Sequence, residues 1–502
     1  MPESSINRAN IKKSMESIVS TNQREESQRD GAKRFGGLVK EVKLLGYIAG
    51  PMVAVNLSHF FLQVISIMMV GHLGKLYLSS TAIAISFGAV TGFSVLFGMA
   101  SALETLSGQA YGAQQYQKLG IQTNTAVFSL ILVCLPLSLM WTYMGKILIF
   151  MGQDPLISRE AGKFMLWFIP ALFAYATLQP LVRYFQTQSL IIPLMVSSCV
   201  SICCHIPLCW ALVFKSGLEN LGGALSIGIS YWLNVIFLVL YMKCSPTCES
   251  TRVSISSELF QGLGEFLRFA IPSAIMIFQW WSFELLTLLS GFLPNPQLET
   301  SVFSVCLSTI STLFTIPEGL GAAGSTRISN ELGANNPRAA RLAGGAVMFL
   351  TALQAIIIST VLVASRSVFG YVFSNEKEVV DYAANIAPLV CLSFIFLSFT
   401  SVLSGIVRGC GVQTLGAFVN LGSYYLFGIP IAATLAFRLD LRGKGLWIGL
   451  VAGSFLQAFL FATITFCTNW EKKARIARER IFRERSQGDV GLTVHTSLNE
   501  RS

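Results

Sequence analysis

One carboxylate stands alone in an apolar, aromatic run: Glu284 in QWWSFELLTLLSG, residues 279–291. A charge at mid-membrane depth costs roughly 2.5–3.5 kcal/mol on insertion scales, so an acid kept there has a job that outweighs its cost, or the run is not in a membrane. On a helix its neighbours are Trp280 and Trp281 at i−4 and i−3, and Thr287 and Leu288 at i+3 and i+4. The carboxylate thus shares a face with two indoles and a hydroxyl. Away from water and from any cation, a carboxylate favours its neutral form. Such a group takes a proton from one side and releases it to the other; the alternative is a glutamate held permanently by a neighbouring helix. Trp280, Trp281 and Phe283 beside an acid suit a flat organic cation through stacking and cation–π contact. Taken one at a time, the same rings suit packing between helices.

Two further acids sit in apolar surroundings. Glu104, in ASALETLSGQAYGA, reads as a residue that holds a hinge or loop near a helix end. Glu318, in TIPEGLGAAGS, follows Pro317, which frees a backbone carbonyl and can kink a helix. Glu318 either satisfies that loosened backbone or lines a lumen. Asn56, Gln63, Asn234 and Asn420 are uncharged polar groups in apolar runs, suited to hydrogen bonds between helices. The four histidines, His59, His72, His205 and His495, are not grouped with acids or cysteines at ligand or catalytic spacing. The expectation is no metal, no cofactor and no enzyme. The eleven cysteines fall mostly in apolar runs and read as small buried hydrophobes.

The elements that must position these residues are membrane helices. The chain has 502 residues, 53% hydrophobic and 12% charged, with mean hydropathy +0.60. A soluble domain carries about 25% charged residues, so an all-α polytopic membrane protein is expected. Apolar runs of spanning length place twelve helices near 44–70, 80–104, 122–144, 163–182, 190–214, 221–243, 265–291, 299–324, 342–368, 382–407, 414–437 and 445–467. The polar stretch 1–43 is expected to be a disordered tail, and 468–502 a basic tail. The net charge of +10 does not point to nucleic acid, because nine Lys and Arg lie in the first 43 residues and eight after residue 467. An even helix count puts both termini on one side. Loop charges do not decide which side, but the tails do: the positive-inside rule makes the termini cytoplasmic. The basic stretch after residue 467 anchors the last helix or rests on anionic lipid. A lipid flippase fits poorly, since it needs a basic cavity and the helix interiors lack Lys and Arg.

The longest polar break, 243–264, divides the helices six and six, and the halves repeat. A shift of 221 residues puts Pro51 on Pro272, Gly98 on Gly319, Ala102 on Ala323, Gly112 on Gly333 and Gln63 on Glu284. A shift of 225 puts Arg183 on Arg408, and one of 223 puts Pro207 on Pro430. Six crossings return the chain to its starting side, so the two lobes, 44–243 and 265–467 with a linker at 244–264, have the same topology. Two such lobes rocking about a central cavity form a transporter design. Gln63, Asn56, Trp280, Trp281, Thr287 and Glu318 are the expected cavity residues, with Glu284 for proton coupling and Glu104, Pro317 and Arg408 for lobe motifs and hinges.

ALETLSGQAYGA (102–113), QWWSFELLTLLSG (279–291), IPEGLGAAGSTRISNELGANNPRAA (316–340) and VLSGIVRGCGVQ (402–413) together resemble the multidrug and toxic compound extrusion family, most of all its plant detoxification branch. The resemblance spans about residues 44–467. It implies twelve helices in two lobes, a V-shaped cavity open to one side at a time, and efflux of organic cations, alkaloids, flavonoid conjugates or xenobiotics against inward proton flux. It implies vacuolar or plasma membrane, with a single chain, protons, a small organic solute and lipid as the only partners. Glu284 matches the family's protonatable acid in helix 7. The branch's second acid, in helix 10, falls on Leu397, which leaves Glu284 to carry coupling alone with Ser398 or Thr400 as polar helpers. An uncoupled facilitator of the same fold, with Glu284 structural, is the alternative.

Overall fold

The computed structural model describes residues 3–254, 258–372 and 376–482, with side chains from residue 36 onward except Phe369 and Val372. Among these, twelve helices are long and apolar enough to cross a membrane. They are α1 (Glu3–Gly71, of which Gly36–Gly71 is the spanning stretch), α2 (Lys75–Gly112), α3 (Tyr116–Thr142), α4 (Pro155–Thr187), α5 (Ile191–Lys215) and α6 (Asn220–Cys244). A second set follows: α7 (Leu263–Ser290), α8 (Pro296–Gly333), α9 (Pro337–Ala364), α10 (Lys377–Gly409), α11 (Gln413–Arg438) and α12 (Arg442–Phe466). In lipid every backbone N–H and C=O must bond within its own segment, so helices are the form such apolar runs take.

The number and order of helices match the expectation, but their lengths do not. Several run a turn or two past the apolar stretch, because capping and polar pairing continue a helix beyond its lipid-facing part. α4 is capped by Asp154, whose carboxylate accepts from the N–H groups of Leu156 and Ile157. At the other end of the chain's first helix, the polar stretch expected to be disordered continues α1 back to Glu3 along its backbone. It is rich in Glu, Gln, Lys and Arg, which are good helix formers. Cys199, Cys203 and Cys204 are exposed on α5 rather than buried. In a membrane an apolar side chain gains nothing by turning inward, and long aliphatic stripes such as Ile356, Ile357 and Val361 are exposed in the same way.

The repeat is visible in the packing. α2 and α8 cross so closely that a Cβ on Gly112 would overlap the Asn330 carbonyl, and one on Gly333 the Gln109 carbonyl. A shift of 221 residues turns Gln109 into Asn330 and Gly112 into Gly333, so the contact is its own mirror under the duplication. The hydrogen bonds repeat too. Gln109 donates to the Gly409 carbonyl at 3.2 Å, and Asn330 to the Thr187 carbonyl at 3.0 Å. α5 and α11 both end in a wider π-turn, at Ala211–Lys215 and Thr434–Arg438.

The close approach of α2 and α8 and the bonds from Gln109 and Asn330 lie on the face that carries the termini, while the two π-turns lie at the other face. One apolar core runs through the length of α1–α6 and, on the terminal face, continues into Ile328, Leu332, Val347 and Ile406 of the second bundle. Toward the opposite face the second bundle has a core of its own, around Phe283, Phe303, Leu397 and Trp447. The bundles are therefore joined on the terminal face and part toward the other.

α7 is not the continuous helix expected. It breaks at Phe278 into Leu263–Ile277 and Gln279–Ser290. Pro272 removes one hydrogen bond in the turn before the break. α11 braces the break: Asn420 Nδ2 donates to Met276 O at 2.5 Å and Tyr425 Oη to Phe278 O at 3.0 Å. Gln457 of α12 donates to Gln279 Oε1 at 2.6 Å. This buried network sets the direction of the segment that carries Trp280, Trp281 and Glu284.

A tail helix over 470–482 lies across the terminal face. Arg480 donates to Gln109 Oε1 of α2 at 2.6 Å, pairs with Glu265 of α7 at 3.3 Å and covers the Phe269 ring at 4.6 Å. Lys118 Nζ donates to the Ile481 carbonyl at 3.4 Å. The tail of the second bundle thus grips the first. Beneath it Cys410 is buried, and burial pushes its thiol up to about 12. In a variant with Cys410 as its sole cysteine, deleting the tail helix is expected to raise thiol labelling at neutral pH several-fold. Unchanged labelling would mean that the tail does not cover this face.

Candidate functional site

A cavity of about 270 Å³ lies between the two bundles. Its walls follow helical periodicity: Asn56 and His59 of α1, Phe93 and Phe97 of α2, and Tyr175, Gln179 and Arg183 of α4. The second bundle contributes Ile277 and Trp280 from either side of the α7 break, and Thr315 and Glu318 from α8. Asn56 Nδ2 donates to Glu318 Oε2 at 3.3 Å, so a hydrogen bond joins the bundles across the cavity. Trp280 stands edge-on to Phe314, with centroids 4.8 Å apart. Tyr175 packs against Phe93 at 4.8 Å.

Below the cavity, toward the terminal face, Glu104 is 1% exposed and sits between two guanidinium groups. Arg183 Nη1 lies 3.2 Å from Oε1 and Arg408 Nε 2.9 Å from Oε2. Arg183 belongs to the first bundle and Arg408 to the second. Further acceptors secure each arginine. Arg183 donates to Gln186 Oε1 at 2.7 Å and stacks on Phe97 at 4.9 Å; Arg408 donates to Ser404 Oγ at 2.9 Å. Beside the triad, Thr105 Oγ1 donates to the Arg408 carbonyl at 2.5 Å and Gln186 Nε2 to Thr326 Oγ1 at 2.9 Å. At the rim, Arg327 bridges Glu41 of α1 at 2.7 Å and Glu331 at 2.6 Å. In a low-dielectric interior such pairs hold because each charge has a partner.

The residues expected to form the cavity separate into two groups. Asn56, Trp280 and Glu318 line it. Gln63 sits behind the wall and donates to Tyr231 Oη at 3.4 Å. Trp281 is turned to α2, its Nε1 donating to Ser94 Oγ at 3.4 Å, and Thr287 donates to the Phe283 carbonyl of its own helix. Glu284 is exposed one helical turn beyond Trp280, away from the terminal face, and none of the hydrogen bonds among the described residues reaches it. Pro317 lies within α8, and Glu318 bonds to α1 rather than to loosened backbone. Leu397 is fully buried, and Ser398 and Thr400 donate to carbonyls of α10.

Sequence reasoning missed Arg183 as a wall residue. It sits in α4, not in a loop, and corrects the expectation that helix interiors lack Lys and Arg. The signal was present: Arg183 and Arg408 coincide under the repeat, while Glu104 falls on Ser325, so one half supplies the acid for both arginines. His59, Phe93, Tyr175 and Gln179 gave no such signal, because their convergence depends on how α1, α2 and α4 pack.

The family model MatE matches residues 51–211 and again 272–434. Its two copies begin at Pro51 and Pro272, which the repeat superposes. Protein DETOXIFICATION 14 of Arabidopsis thaliana is 60% identical over 456 residues, covering 91% of this chain and 94% of that protein. Protein DETOXIFICATION 12 of the same plant is 57% identical over 449 residues, 89% of this chain and 93% of that one. The crystal structure of the eukaryotic MATE transporter AtDTX14 matches with a TM-score of 0.86 at 61% identity, over 89% of this chain and 100% of that one.

Removing one partner of a buried ion pair leaves an unpaired charge and costs about 3–5 kcal/mol. Glu104→Gln and Arg408→Gln are each expected to lower the melting temperature of the purified protein. The double variant should lose clearly less than the sum of the two, the sign of direct coupling. Additive losses would mean that the pair contributes nothing to joining the bundles.

Proposed function

The chain belongs to the multidrug and toxic compound extrusion family, and from that membership we propose that it is a proton-coupled antiporter exporting small organic solutes from the cytosol. As a member it is a membrane transporter of small compounds, not an enzyme. The finer reading rests on one observation above the rest: an aromatic cavity between two bundles that are joined on the terminal face and part on the other. With both termini in the cytosol, this arrangement is the state open to the lumen or the cell exterior. A vacuolar or plasma membrane suits it equally.

In this reading Glu284 carries the proton. It sits one turn from the cavity wall on the side where the cleft opens, so it meets the acidic compartment first. Protonation removes its charge and its hold on water, and a neutral side chain is far cheaper to enclose than a carboxylate. The bundles then close over it, the terminal face opens, and the proton leaves to the cytosol as substrate enters. The substrates that fit the cavity are small and flat: organic cations, alkaloids, flavonoid-type compounds and other xenobiotics.

The test is uptake of a fluorescent organic cation into inside-out vesicles with an acid interior. Wild-type uptake should collapse with a protonophore, and Glu284→Gln should insert normally yet lose gradient-driven uptake. Equal, gradient-independent uptake by both proteins would replace the antiporter with a facilitator in which Glu284 is structural.

A further inference from the structure

The cavity and the proton site hold different acids. Glu318 is the one carboxylate among the residues lining the cavity, while Glu284 is absent from its wall. One oxygen of Glu318 accepts from Asn56; among the described residues the other accepts no hydrogen bond and Glu318 takes part in no ion pair. The two guanidinium groups nearest to it do not fill that vacancy. Arg183, which lines the same cavity, and Arg408 both make their ion pairs with Glu104, and among the described residues neither forms one with Glu318. A carboxylate in a confined site without a direct ion-pair partner is costly, and a cationic ligand supplies that contact.

The rings around it suit such a ligand. Trp280 is fixed edge-on to Phe314 and Tyr175 is braced by Phe93, so both are held rigidly. Phe97 already carries the Arg183 guanidinium on its face, while Trp280 and Tyr175 of the lining carry no cation and offer surfaces for a guest. Indole is the strongest of the aromatic faces for a cation.

On the antiport reading above, we infer that the second bundle's acids divide the work: Glu318 is the counter-ion that selects an aromatic cation, and Glu284 carries the proton. Asn56 is a positioning residue that holds Glu318 toward α1 while the cavity is empty. A cation that takes over Glu318 releases Asn56 and so loosens the hydrogen bond between the bundles at the cavity. Substrate charge is thereby read at one carboxylate and the gradient at another.

Binding without any gradient tests this separately from antiport. The purified full chain is titrated calorimetrically with N-methylquinolinium and with 1-methylnaphthalene, its uncharged counterpart of the same shape. Glu318→Gln is expected to weaken N-methylquinolinium by about tenfold or more, a full step on the affinity scale, and to leave 1-methylnaphthalene within about twofold. Glu318→Asp, which keeps the charge, should keep the preference for the cation. Wild-type affinity for the cation in Glu318→Gln would overturn the assignment. So would a parallel loss of both ligands in Glu318→Gln, which would mark a packing role. If Glu284→Gln weakens the cation as much as Glu318→Gln does, the division between the two acids fails. Loss of gradient-driven transport with these binding results intact would instead remove the antiport reading.

Discussion

A single buried carboxylate ties the two halves of this protein together. Glu104 is nearly inaccessible to solvent, and it binds one arginine from its own half and one from the other. None of the three can leave without stranding a charge in a low-dielectric interior, so the triad holds only while α2, α4 and α10 stay together. The surrounding contacts follow from that closeness: the backbone approach of α2 and α8 at Gly112 and Gly333, the paired bonds from Gln109 and Asn330, and the tail helix laid over the seam. The triad also forms the cavity floor, because Arg183 is both its member and part of the wall. A rocking transporter needs such a seam, strong when all partners are in place and lost as a unit when the bundles rotate.

Much of this was legible in the sequence. Hydropathy gave twelve spans in the right order, because lipid requires long apolar runs. The repeat was legible because Pro51 and Pro272, and Gly112 and Gly333, do the same structural work in each half. Asn56, Trp280 and Glu318 stood out as polar or aromatic groups at spans' interiors, and all three reach the cavity. What stayed hidden depends on contacts between distant segments. The break in α7 is braced by Asn420 and Tyr425 of α11, which bond to the carbonyls of Met276 and Phe278. Arg183 read as a loop cation because α4 runs past its apolar stretch. Trp281 and Thr287 share a helix face with Glu284, but the break at Phe278 and the nearness of α2 turn Trp281 to Ser94.

Position 397 shows how a departure from a family pattern is absorbed. A leucine there joins the apolar core of the second bundle, and the hydroxyls of Ser398 and Thr400 are taken up by carbonyls of their own helix. α10 therefore contributes packing at this depth. In the second bundle Glu318 meets the cavity and Asn56, and Arg408 meets Glu104 at the buried seam.

The most direct measurement is the distance between spin labels on the two halves, in lipid nanodiscs at neutral and acidic pH. One pair, at Gln114 and Asn335, marks the exposed loops of the terminal face, and a second, at Lys75 and Gln297, marks the opposite face. If the seam around Glu104 closes one face while the other is open, the wild type gives a short terminal distance and a long opposite one. Glu104→Gln then adds a population in which both reverse. Single, unchanged distances at both faces, in wild type and variant and at either pH, would contradict the view that the triad governs which side is open.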